Sequence, residues 1–107
     1  LAIYETKLGK DNVQLAEMLT GQGETHLAAQ RPADAIAPLT RALALTEPRA
    51  DYRSATNHLR FLLARALWDA RSDRARALTL AETAAAESSA DAKARAEITA
   101  WLTARRR

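Results

Sequence analysis

The chain contains no cysteine, so disulfides, thiolate nucleophiles and the common zinc frameworks are all excluded. Glycine and proline number three each in 107 residues, and aromatics make up only 5%. Few Val, Ile or Thr residues alternate with polar ones, which removes the pattern that β-strands need. No apolar stretch approaches the roughly 20 residues required to span a bilayer. The opening Leu1-Ala2-Ile3-Tyr4-Glu5 has no basic region ahead of an apolar one, so a secretory leader is not expected. A one-sided charge is also missing. The formal net charge is +3, but Arg105, Arg106 and Arg107 supply that excess, and thirteen basic residues otherwise face thirteen acidic ones. A terminal Arg run reads as a solvated helix end that complements the helix dipole, so nucleic acid is not the expected partner. The rival reading would use Arg49, Arg53, Arg60 and the Arg tail on phosphates.

What is present is Ala and Leu, the strongest helix formers, within an apolar share of 48%. The chain therefore reads as all-α, with a core of small, close-packed side chains. A pattern also returns after 42 residues: Leu19, His26, Ala35 and Ala42 correspond without a gap to Phe61, Trp68, Ala77 and Ala84. Leu1-Ala2-Ile3 lies one step before Leu43-Ala44-Leu45. A period of this size signals stacked supersecondary units, each unable to bury its apolar face alone.

Residues 1–8 read as the last turns of a helix whose beginning is missing. With no initiator Met, the expectation is a fragment of a longer protein. Residues 12–46 form one repeat. Asp11 or Asn12 can cap its first helix, Val13, Leu15, Ala16, Leu19, Leu27 and Ala28 give that helix an apolar face, and Gly23 marks a close passage of a neighbouring helix. Pro32 fits the first turn of the second helix, Pro38 is expected to bend or loosen it, and Pro48 closes it. Residues 51–87 form the second repeat. Its first helix, with Leu59, Leu62, Leu63, Ala66 and Leu67, is expected to be the most buried, and Ser72 or Asp73 caps the helix that follows. Residues 91–105 form a capping helix whose Ile98, Trp101 and Leu102 cover the last repeat, with Trp101 as a packing anchor.

Leu19, Gly23, His26, Ala35, Leu39 and Ala42, then Phe61, Trp68, Ala77, Ala81 and Ala84, resemble the tetratricopeptide repeat. The 42-residue step, against about 34 in the common form, is similar to the kinesin-light-chain variety, as is the stretch from Leu1 through Leu8-Gly9 and Asp11. Gln22, Arg65 and Pro48 depart from the pattern: the first replaces an apolar residue, the second a small one, and the third comes one position late. The Ala- and Arg-rich composition ending in Ala100-Trp101-Leu102 also looks like the C-terminal regions of bacterial serine/threonine kinases, although no kinase motif lies in the chain. The resemblance implies an antiparallel helix-hairpin solenoid wound as a right-handed superhelix, in a cytoplasmic bacterial protein. It further implies a protein-binding concave face made by the first helix of each repeat, carried here by Glu17, Thr20, Glu24, Leu27, Leu59, Leu62, Ala66 and Asp69. Thr20, Gly21 and Glu24 stand where chaperone-tail-binding members hold a carboxylate, so no such clamp is expected.

No phosphate loop, zinc helix motif or nucleophile elbow occurs, and His26 and His58 are isolated. No catalytic residue, metal or cofactor is therefore expected. The expected function is a non-catalytic protein-protein interaction scaffold whose partner is a basic or amphipathic peptide. Self-association through the cut N-terminal face is the alternative.

Overall fold

The computed structural model describes residues 12–88 and 91–105. The expected helix end at residues 1–8, the Asp11 cap and the last two Arg residues lie outside this range. Five helices follow one another: α1 (Asn12–Ala28), α2 (Pro32–Thr46), α3 (Arg53–Asp69), α4 (Arg74–Glu87) and α5 (Ala92–Arg105), with a 3-10 turn at Ala50–Tyr52. No strand occurs among the described residues. The second repeat thus opens on a 3-10 turn, and its α-helix starts at Arg53.

Three or four residues separate the two helices of each repeat, 29–31 in the first and 70–73 in the second. Helices of 14 to 17 residues that pack on one another across links this short must run antiparallel. Both turns use the same device. The N–H of Gln30 donates to Leu27 O and that of Arg31 to His26 O; Arg71 donates to Trp68 O and Ser72 to Leu67 O. This is the Schellman arrangement, which satisfies carbonyls at the helix end and demands a left-handed residue. Gln30 (φ 61°) and Arg71 (φ 55°) adopt that conformation without being glycine. The repeats start their second helices differently. Pro32 takes the first turn of α2, where its missing N–H costs nothing, and no side chain caps that helix. Asp73 caps α4 by accepting the Arg76 N–H at 3.0 Å, and Asp91 caps α5 in the same way through Ala94.

The 42-residue step persists in the packing. Ala35, Leu39 and Ala42 are fully buried on α2, and so are Ala77, Ala81 and Ala84 on α4; Leu19 and Phe61 are each 6% exposed. The contact around Gly23 is the close passage its sequence position predicts: a Cβ there would overlap Cγ and Cδ2 of the fully buried Leu39. One step later the pair becomes Arg65 and Ala81, so the large residue has moved to the first helix and the small one to the second. Arg65 lays its guanidinium 5.9 Å from the Phe61 ring centre.

Among the described helices α3 buries the most residues, Thr56, Asn57, Leu59, Phe61, Leu62, Leu63, Ala64, Ala66 and Leu67. It is sandwiched between α2 and α4 and also touches α1. Buried hydroxyls within this core are satisfied by the preceding turn, Thr56 donating to Tyr52 O at 2.9 Å and Thr46 to Leu43 O at 3.4 Å. Pro38 does not interrupt α2, which runs continuously through it. No described helix is long and apolar enough to cross a membrane.

Candidate protein-binding face

Helix α1 touches α3 as well as α2, and α3 and α5 line a common cavity, so alternate helices come together on one side. Two cavities open between them. The first, about 340 Å³ between α1 and α3, is lined by Ala16, Glu17, Thr20, Glu24, Thr46, Tyr52, Ala55, His58 and Leu59. The second, about 410 Å³, lies between α3 and α5, with Phe61, Ala94 and Ile98 as its apolar part and Asn57, His58, Ser88 and several charged residues around them. His58 borders both.

The two cavities are related by the repeat at four of the nine positions that line the first. Ala16, Thr46, Tyr52 and Ala55 line the first, and the residues 42 positions on, His58, Ser88, Ala94 and Glu97, line the second. The 3-10 turn at Ala50–Tyr52 likewise maps onto residues 92–94, the first turn of α5. The fifth helix therefore occupies the place that the first helix of a further unit would take, in addition to covering the second repeat.

That helix is held by aromatic edges. Trp101 meets Phe61 at 5.8 Å with rings at 90° and Trp68 at 5.9 Å and 75°, a geometry that directs the positive edge of one ring at the negative face of another. Arg105 stacks over Trp101 at 4.6 Å and Arg74 over Trp68 at 4.5 Å. Trp101 is thus a packing residue, as its sequence position predicts. His26, the counterpart of Trp68 one step earlier, is partly buried.

No family model, curated protein or solved structure matches this chain. Its likeness to tetratricopeptide repeats therefore rests on its residues and their periodicity.

The residues expected on the concave face divide into three groups. Glu17, Thr20, Glu24 and Leu59 come together around the first cavity. Leu27 is partly buried against the core, and Asp69 is exposed at the last turn of α3. Leu62 and Ala66 are 3% and 0% exposed, inside the core, and present no surface in this arrangement. A helix packed on several sides turns most of its apolar arc inward, which a surface-groove reading of its spacing overlooks. The second cavity was not expected, because α5 reads as a cap; applying the same step to Tyr52 and Ala55 points to it.

Electrostatics distinguish the two cavities. Around the first, Glu17 and Glu24 are the carboxylates, and no Lys or Arg is among the described lining residues. Glu24 Oε2 lies 3.2 Å from His58 Nε2, joining α1 to α3. The second has Arg53 and Lys93 opposite Glu87, Asp91 and Glu97. A third, polar recess of about 190 Å³ surrounds Arg60, whose side chain is only 12% exposed. Arg60 donates to Asn57 Oδ1 at 2.9 Å and pairs with Glu47 at 3.4 Å and Glu87 at 3.2 Å, tying the ends of α2 and α4 to α3. Arg49 stacks on Tyr52 at 4.7 Å and lies 4.0 Å from Asp51. Two of the arginines that a phosphate-binding reading requires are thus engaged within the fold. Among the described residues no three His, Asp or Glu side chains cluster as metal ligands.

Proposed function

We propose that this chain is a non-catalytic helical-repeat domain of the tetratricopeptide type that mediates protein-protein contact through the face of α1, α3 and α5. The supporting observation is a pair of neighbouring cavities on this face that share four lining positions 42 residues apart. Successive cavities along one face offer a chain-like partner a foothold at each step, which is how helical-repeat scaffolds build extended binding surfaces. Apolar floors with polar rims also suit a peptide, whose side chains need desolvated pockets and whose backbone needs hydrogen-bonding neighbours.

Selection from a displayed peptide library, followed by NMR mapping on the whole chain, tests this. Selected peptides are expected to shift amide signals on α1, α3 and α5. They should lose binding to Ala55→Trp, which fills the first cavity from an exposed position. Peptides that bind α2 and α4 instead, or that ignore the substitution, would refute the assignment.

A further inference from the structure

We infer that the segment held by this face carries a cationic side chain and a large apolar one three residues apart, the cation entering the α1–α3 cavity and the apolar group the α3–α5 cavity. The inference rests on the proposed protein-binding role and names the chemistry of the partner.

The first cavity combines two carboxylates with an apolar floor. Glu17 and Glu24 are exposed at its rim, whereas Ala16 and Leu59 beneath are each 2% exposed. Arg and Lys match this division: their aliphatic stems cover apolar surface while the charged head stays at the wet edge. The cation would meet Glu17 and share Glu24 with His58, which lies 3.2 Å from it, and Arg would add paired hydrogen bonds to one carboxylate. An acidic side chain would face two like charges, and a neutral one would leave Glu17 without a cation beside it, Glu24 being held by His58.

The second cavity carries no such bias. Phe61 and Ile98 are 6% and 3% exposed and form its apolar part. Arg53 and Lys93 are offset by Asp91 and Glu97 around it, and Glu87 is already engaged by Arg60. Burial of apolar area, which is indifferent to charge pattern, is the main term available there.

The spacing follows from helix geometry. Both cavities border α3 and share His58, so moving from one to the other crosses a single helix, a width of about 10 Å. An extended peptide advances about 3.3 Å per residue, so about three residues cover that step. His58, on the rim of both cavities, lies beneath the connecting backbone.

The probe is a nine-residue acetylated Gly/Ser peptide carrying one Arg and one Leu three positions apart, titrated into the whole 107-residue chain and followed by NMR. The control replaces its Arg with Glu. The Arg peptide should shift the amides of Thr20 and His58 and bind about 10-fold or more tightly than the control. In the Glu17→Gln/Glu24→Gln variant, both exposed positions, the two peptides should bind equally; in the Glu17→Lys/Glu24→Lys variant the order should reverse. Equal binding of both peptides to the original chain overturns the inference. Failure of both, while library-selected peptides still map to α1, α3 and α5, overturns it and leaves the binding role standing. If no peptide maps to this face, the role and the inference fail together.

Discussion

Gly21 and Gly23 lie two residues apart on α1, and replacing each by Ala should have opposite effects on stability. In a helix interior Ala is favoured over Gly by about 1 kcal/mol, mainly because Gly loses more backbone freedom on folding. Gly21 is exposed, and a Cβ there meets nothing within 4 Å, so Gly21→Ala should stabilise the chain by about that amount. At Gly23 the same gain is set against an overlap with Leu39, which is fully buried. Overpacking of this kind costs about 1–3 kcal/mol, so the net effect of Gly23→Ala runs from about zero to about 2 kcal/mol of destabilisation. The propensity gain is common to both variants. Their difference therefore isolates the overlap, about 1–3 kcal/mol. Urea unfolding measures it through the midpoint at constant slope, and thermal unfolding through a shift of about 4–8 °C per kcal/mol for a domain near this size. Leu39→Ala closes the cycle. On its own it should cost about 2–5 kcal/mol, but on that background Gly23→Ala should become stabilising, because the shortened side chain leaves room for the new methyl. The second repeat already uses this exchange, with Arg65 opposite a small Ala81. Equal stabilisation by the two glycine substitutions, with no coupling to Leu39, would show that α1 and α2 do not meet at Gly23.

Replacing Arg60 by Met keeps the aliphatic stem but leaves the buried Asn57 amide oxygen without its donor, and should destabilise by about 1–3 kcal/mol. Most of this loss should persist in 1 M salt, where the exposed Glu47 and Glu87 ends of the network are screened; a loss that vanishes in salt would mean the ion pairs dominate. Gln30→Gly and Arg71→Gly remove left-handed strain at two helix ends and should each raise stability by about 0.5–1 kcal/mol, read from urea midpoints. Destabilisation by both would argue against the Schellman turns. Trp101→Ala removes two edge-to-face contacts and should release α5 before the rest of the chain. Hydrogen exchange should then accelerate at Ile98 and Leu102 while Leu39 and Leu63 stay protected; uniform acceleration would show that α5 does not open on its own.

Much of the fold is legible in the residues because helix formation is local. Ala and Leu at three- and four-residue spacing, Pro32 at a helix start and Asp73 as a cap each act within a turn or two. The 42-residue recurrence adds which small residues lie at helix contacts, since positions such as Ala35 and Ala77 must meet the same neighbour in each unit. The candidate face is legible only in part. Glu17, Thr20, Glu24 and Leu59 share a cavity because α1 and α3 are equivalent helices placed side by side. Leu62 and Ala66 are buried, because an apolar arc does not reveal how many neighbours surround it.

By itself, then, the sequence determined the helices, their order and their period, since these follow from local propensity and from the spacing of apolar residues. Tertiary structure alone decided which of those residues remain at the surface, that Arg60 turns inward to join Glu47, Asn57 and Glu87, and that α5 completes a second cavity with α3. Those outcomes depend on contacts between residues far apart in the chain, where distance and burial set the energy and sequence spacing carries no record of either.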